Sequence, residues 1–276
     1  MSRRTSKKLH IAKKQKIKPF KGDHIFNKEH WFSAFISGKF AGKTTLLNNL
    51  IREFGDDKVK FIIFAPTGTF NDCHVWADAK RYMKKKKLEY QYHPSLFHEN
   101  GLPILADYME EDKEDENEQY EEEQFQQKDP DLLIVEQMLD IMGRGKPPKI
   151  EEKIEKKEED KKIKKIFIID DLAHELRKKG NFVDRLSKNH RHKLNANICI
   201  LTQYLKDLAP DVCCNIDYLF MFYGIPIDVL KDTYGRIPCA VSKKEFINKY
   251  LLLANKVHQF CLSDLERGTF RNQLER

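Results

Sequence analysis

The stretch Ser33-Ala-Phe-Ile-Ser-Gly-Lys-Phe-Ala-Gly-Lys-Thr-Thr-Leu-Leu47 constrains the fold more than any other segment, because it reads as a strand, a glycine-bearing loop and a helix start in direct succession. Trp31 to Ile36 is apolar and aromatic enough for a buried strand. Gly38 and Gly42 open backbone angles closed to other residues, and Lys43-Thr44-Thr45 begins an amphipathic helix through Leu46, Leu47, Leu50 and Ile51. The loop amides and the positive helix end would then face one anion. Ser37, Gly38, Lys39, Phe40, Ala41, Gly42, Lys43, Thr44 and Thr45 are accordingly the candidate cradle for the phosphates of ATP. Lys43 would reach the β- and γ-phosphates as a point charge, and the Thr44 hydroxyl would take one position around Mg²⁺.

The pattern G-x-x-x-x-G-K-[ST] is met except at its first glycine, which falls on Ser37. Gly38, beside it, is expected to absorb the strained turn, which makes this a Walker A (P-loop) variant. The competing reading is a glycine turn before an ordinary helix.

A second element completes the chemistry. Lys165-Ile-Phe-Ile-Ile-Asp-Asp-Leu172 is a continuous apolar strand ending in two carboxylates, as a Walker B strand does. Asp170 is placed to hold Mg²⁺ directly or through water. Asp171, pointing away by the strand's period of two, is placed to orient or deprotonate the attacking water. Asn197-Ile-Cys-Ile-Leu-Thr-Gln203 is another buried strand with a polar end. Gln203 there can bond the lytic water or report loss of the γ-phosphate, where the bland alternative is a polar turn.

Around these motifs the chain fits one α/β core with charged additions: of its 276 residues, 40% are hydrophobic and 34% charged, which is too polar for two equal packed domains. Residues 1–28 carry nine Lys and Arg before the first acid at Asp23, a basic arm expected to stay disordered until it meets phosphate or an import receptor. The core is expected over 29–262, with a charged insertion at 110–165 that encloses one apolar helix candidate at Leu132 to Met142. Residues 263–276 are read as a C-terminal tail, of which Glu266 to Arg276 are expected to fray.

Within the core, Val59 to Thr67 and Leu88 to Tyr92 read as strands, and Asn71 to Lys87 and residues 172–190 as helices. Ile216 to Phe222 reads as a strand, followed by a helix through Tyr234. Tyr250 to Ala254 and Val257 to Cys261 suggest a closing hairpin. Cys73, Cys199, Cys213, Cys214, Cys239 and Cys261 form no C-x-x-C pair and read as reduced thiols. With no membrane segment and no secretory leader in view, the expectation is a soluble, intracellular protein.

The P-loop, Ile166-Phe-Ile-Ile-Asp170-Asp171, Arg191-His192 and Ile200-Leu-Thr-Gln203, in that order, make the chain resemble the genome-packaging ATPases of double-stranded DNA viruses (poxvirus-type) and Polinton/Maverick elements, within the FtsK/HerA superfamily. The resemblance covers roughly Trp31 to Leu262, and the run from Arg191 to Asn215-Ile-Asp217 is its most specific part. It implies a RecA-like P-loop NTPase of the α/β class, with a mainly parallel sheet and helices on both faces. It further implies a homo-oligomeric ring that hydrolyses ATP to push double-stranded DNA, independently of its sequence, into a preformed capsid. A capsid or portal component would be a partner, and the host nucleus or a viral factory the site of action. Arg191 matches the arginine that completes a neighbouring subunit's site in such motors, with Arg185 the nearby substitute. A P-loop kinase or GTPase, for which no N-K-x-D base-reading motif is found, and a DNA-binding scaffold with a decayed P-loop remain as alternatives.

Overall fold

The computed structural model describes residues 26, 28–38, 40–56, 58–109 and 164–271. The arm through residue 25, Lys39, the insertion from 110 to 163 with its helix candidate, and residues 272–276 lie outside them.

One eight-stranded sheet organises the domain, in the order β3-β2-β4-β5-β1-β6-β7-β8. The strands are β1 (Phe32–Ile36), β2 (Val59–Phe64), β3 (Glu89–His93), β4 (Lys164–Asp170), β5 (Ala196–Thr202), β6 (Tyr218–Phe222), β7 (Phe260–Asp264) and β8 (Thr269–Arg271). The first six are mutually parallel, whereas β7 and β8 run antiparallel at one edge. Parallel strands are buried on both faces, which is why β1 and β5 are buried along their whole length and are mostly apolar, with Ser33, Asn197 and Thr202 the exceptions. Side chains alternate across the pleat. Phe32, Ala34, Ile36, Phe167, Ile169, Ile198 and Ile200 enter one core, and Phe35, Ile166, Ile168, Cys199 and Leu201 the other.

Two helices cover the second of these cores. They are α1 (Lys43–Phe54), through Leu46, Leu47, Leu50 and Ile51, and α3 (His74–Lys86), through Trp76, Ala79 and Met83. A short helix, α2 (Thr67–Asp72), precedes α3, so the helix expected from Asn71 is two helices broken at Cys73. At the end of α1 the chain needs glycine for room. A Cβ on Gly55 would lie 2.5 Å from Leu88 Cδ1 and 2.6 Å from the Ile51 carbonyl oxygen.

The other core is covered by α4 (Ala173–Leu176), α5 (Val183–Asn189), α6 (Pro210–Cys214), α7 (Ile227–Tyr234) and α8 (Lys243–Leu253). The single helix expected over 172–190 is interrupted by left-handed residues, Gly180 at φ 76° and Phe182 at φ 64°. The hairpin expected at Tyr250 to Cys261 does not form, because its first half is the end of α8. Ser242 caps that helix by accepting the Glu245 amide, and Phe246 and Tyr250, four residues apart, bury one face. The antiparallel partner of β7 is β6 instead. The sheet also extends past residue 262, since β8 pairs with β7 as far as Arg271. At the other end Phe26 is buried against Trp31 and Tyr218, so the domain begins inside the stretch read as arm.

Strand order fixes where a ligand can enter. From β1 the chain passes by α1 to β2 on one side, and from β5 it passes by α6 to β6 on the other, while β1 and β5 lie side by side. The two connections cross on opposite faces of the sheet, and the loops that begin them, joined by the Ser37 amide and the Thr202 carbonyl, border a crevice at the carboxyl ends of the parallel strands, where open α/β sheets take ligands.

Candidate functional site

That crevice receives the sequence motifs. β1 ends at Ile36, and the Ser37 amide donates to the Thr202 carbonyl at 3.4 Å, which joins the start of the loop to the end of β5. Ser37 is fully buried, and its hydroxyl donates to the Gly38 carbonyl at 2.8 Å. Lys43 folds back over the loop, its Nζ donating to Ser37 O at 2.9 Å, Ser37 Oγ at 3.0 Å and Gly38 O at 3.2 Å. Serine at the first-glycine position therefore holds the lysine in place. The strained angles lie elsewhere than expected. Gly38 is not left-handed, whereas Phe40 has φ 62° and Gly42 φ 105°. Ala41 packs against the core of α1 and β1, and Phe40 is 94% exposed. Lys39 is outside the described residues.

Gly42 caps α1 without any side-chain hydrogen bond, and the first turn contains no acid. The first-turn amides of Lys43, Thr44 and Thr45 have no helical carbonyl to bond, which is the donor set an anion requires. Burial lowers the Lys43 pKa, with Asp170 and Asp171 opposing the shift. An ammonium partly stripped of water beside these amides gains strongly from a phosphate.

Asp170 ends β4 at 3% exposure. Burial pushes its carboxyl up to about 6 against three opposing influences: hydrogen bonds from Trp76 and Thr44, and the Lys43 charge. The Trp76 indole Nε1 donates to Oδ2 at 2.9 Å. Thr44 and Asp170, predicted 126 residues apart in sequence to share a cation, are thus in contact. Their hard oxygens fit Mg²⁺, and among the described residues no group of three His, Cys, Asp or Glu offers a competing metal site.

Asp171 departs from its expected geometry. It lies beyond β4, exposed and left-handed at φ 58°, so the pleat does not set its direction. Its charge nevertheless acts on both Lys43 and Asp170, which places it at the same site.

Gln203 follows β5 directly and is half-buried, and no protein group bonds its side chain among the described residues. Its neighbour Thr202 donates to Asp207 Oδ2 at 2.6 Å, and Asp207 Oδ1 accepts Arg177 Nε at 3.0 Å. Neither Trp76 nor the Thr202–Asp207–Arg177 chain was found from the sequence. Trp76 carried one signal, since a core indole needs an acceptor for its N–H.

Arg191 lies elsewhere. It pairs with Asp217, whose other oxygen accepts the Phe32 amide at 2.9 Å and which also binds Lys28 at 2.6 Å. These contacts mark the amino end of β1, and the P-loop leaves the carboxyl end, about 13 Å of strand away at ~3.3 Å per residue. Arg191 is therefore not part of its own chain's crevice. His190, next to it, is buried and held down to about 4 chiefly by desolvation. Arg185 is exposed, stacked at 4.5 Å over the Phe182 ring.

No family model matches the chain, and no curated protein matches it. Among solved structures it is similar to B204, the DNA-packaging ATPase of Sulfolobus turreted icosahedral virus, at 13% identity over 91% of this chain and 100% of that one, with a TM-score of 0.48. B204 of Sulfolobus turreted icosahedral virus 2 with ATP-gammaS gives 13% identity, coverages of 89% and 98%, and a TM-score of 0.47. EssC ATPases 2 and 3 from Geobacillus thermodenitrificans give 12% identity, 86% and 38%, and 0.44. The residue assignments rest on the geometry above. With β5 between the P-loop strand and the strand of Asp170, and helices on both faces, the chain has the RecA-like P-loop NTPase fold.

Proposed function

We propose that the chain is an ATP-hydrolysing motor that moves double-stranded DNA, without regard to sequence, into a preformed capsid. The observation that carries the nucleotide part is the convergence of Lys43, Thr44 and Asp170 at the crevice between β1 and β5, with Gln203 at its edge. Lys43 and the first-turn amides of α1 bind and orient the β- and γ-phosphates. Thr44 and Asp170 would hold Mg²⁺, which would supply neutralisation of the charge that develops on the transferred phosphoryl group. Asp171 takes a proton from the attacking water, or orients it, together with Gln203. The exposed Asp171 can swing toward that water at little cost, since no pleat fixes it.

The DNA and capsid parts draw support from the sequence resemblance and from the basic arm. The ring draws support from the placement of Arg191, which is remote from its own crevice and would reach a neighbour's once Asp217 releases it. Residence in the host nucleus or a viral factory belongs to the same reading. Among the described residues no helix is long and apolar enough to cross a membrane. The test is ATP turnover by the purified chain with and without duplex DNA. A kinase would leave turnover indifferent to DNA, and a scaffold would show none.

A further inference from the structure

An open groove of about 520 Å³ lies beside the crevice, between the segment that follows Asp170 and the segment that follows Gln203. Arg177, Lys178, Lys179, Arg185 and Lys206 line it, all exposed. Its carboxylates are Asp184, Asp207 and Asp211. Asp207 is buried and bound by Arg177, while Asp211 is paired with Lys188 at 3.0 Å. With five cations against three carboxylates the wall is net positive, and a polyanion is what it attracts.

We infer that this groove binds the sugar-phosphate backbone of duplex DNA and is the surface through which DNA stimulates hydrolysis. The inference rests on the motor reading above. Two features select a backbone over bases. Phe182, the one aromatic residue lining the groove, is half-buried and carries Arg185 at 4.5 Å from its ring centre, so the wall offers no open aromatic platform for a base. The Asn181 amide, the one carboxamide in the wall, is spent on the Leu176 carbonyl at 2.8 Å and on the Val183 amide at 3.0 Å. What remains is a set of cations at the end of apolar stems, suited to phosphates in any sequence.

The same groove is tied to the nucleotide site through few bonds. Arg177 binds Asp207, Asp207 binds Thr202, the Thr202 carbonyl binds the Ser37 amide, and Gln203 is the next residue. A phosphate that draws Arg177 outward competes with Asp207 for its guanidinium. Asp207 then shifts its hold on the end of β5, where Gln203 and the P-loop start are fixed.

The experiment uses the full chain, a short duplex of mixed sequence and a potassium chloride series, comparing the parent with Lys179→Ala/Lys206→Ala. A second pair, Lys84→Ala/Lys85→Ala, removes the same charge from the exposed end of α3. The groove pair is expected to lower the slope of log K against log salt by about 2, one counterion for each lost phosphate contact, and to lose DNA stimulation while basal hydrolysis stays at the parent rate. The α3 pair is expected to keep the parent slope and stimulation. If the parent binds DNA and is stimulated but the groove pair behaves like it, or if both pairs lose slope equally, the groove is not the DNA surface and the motor reading stands. If the parent hydrolyses ATP yet neither binds DNA nor responds to it, the motor reading and the groove fall together.

Discussion

The Trp76 indole donates its N–H to the buried Asp170 carboxylate at 2.9 Å, so a residue on α3 sets the orientation of the carboxylate at the end of β4. In Trp76→Phe an aromatic ring remains, but the N–H donor and part of the buried indole volume are lost, and Asp170 Oδ2 keeps its burial without that partner. The expected cost is about 1–3 kcal/mol of stability, read in a denaturant titration. Hydrolysis should also require more Mg²⁺, because the carboxylate is no longer held toward Thr44. An unchanged Mg²⁺ requirement in a folded variant would show that Trp76 serves packing alone.

Lys43→Ala should abolish hydrolysis and weaken nucleotide binding, since Nζ is the side-chain cation that lines the loop carbonyls of Ser37 and Gly38. Thr44→Ala should bind nucleotide but require more Mg²⁺. Asp171→Asn should bind normally and turn over slowly, and equilibrium binding measured beside single-turnover rates separates the three. A normal rate in Asp171→Asn would remove that residue from the mechanism.

Arg191 offers a test of assembly. Its pairing with Asp217 survives in the single chain, and Lys28 still binds Asp217 when the arginine is removed, so Arg191→Ala should fold. It should bind ATP yet hydrolyse it on the order of 10³-fold more slowly, if the arginine acts on a neighbour's phosphate. Mixing it with Lys43→Ala should restore activity, each chain lending its intact half. Hetero-oligomers that form and stay inactive would move the role to Arg185.

His190 gives a pH signature. Its Nδ1 donates to the Ser187 carbonyl at 2.8 Å and its Nε2 accepts from Arg191 Nε at 3.4 Å, so the folded protein holds the ring neutral. Its pKa falls from 6.5 to about 4 on folding. The unfolded chain therefore binds the extra proton, and the stability present above pH 6.5 is lost as pH falls toward 4. That shift corresponds to a loss of about 3 kcal/mol over the window. His190→Asn should flatten the stability profile by that order, measured as denaturation midpoints across the window, and a parallel profile would contradict the assignment.

The sequence made the central strands legible because parallel strands buried on both faces must be unbroken apolar runs, as at Phe61 to Phe64 and Ile166 to Ile169. Lys43, Thr44 and Asp170 were legible for a different reason: each is a polar residue at the boundary of an apolar element, Lys43 and Thr44 opening α1 and Asp170 closing β4. Positions set by tertiary contact were not. The left-handed turn at Asp171, the helical state of Tyr250 to Leu253 and the pairing of β6 with β7 all depend on neighbours distant in the chain. Gly38 and Ser37 misled in a different way, because the lysine that organises the loop bonds their carbonyls and leaves the unusual angles to Phe40 and Gly42.

The most direct test is steady-state ATP hydrolysis by the purified chain, with and without duplex DNA, run in parallel with Lys43→Ala. The account predicts Mg²⁺-dependent turnover that rises when DNA is added and vanishes in the variant. Bound nucleotide without turnover, or turnover that persists in Lys43→Ala, would contradict it.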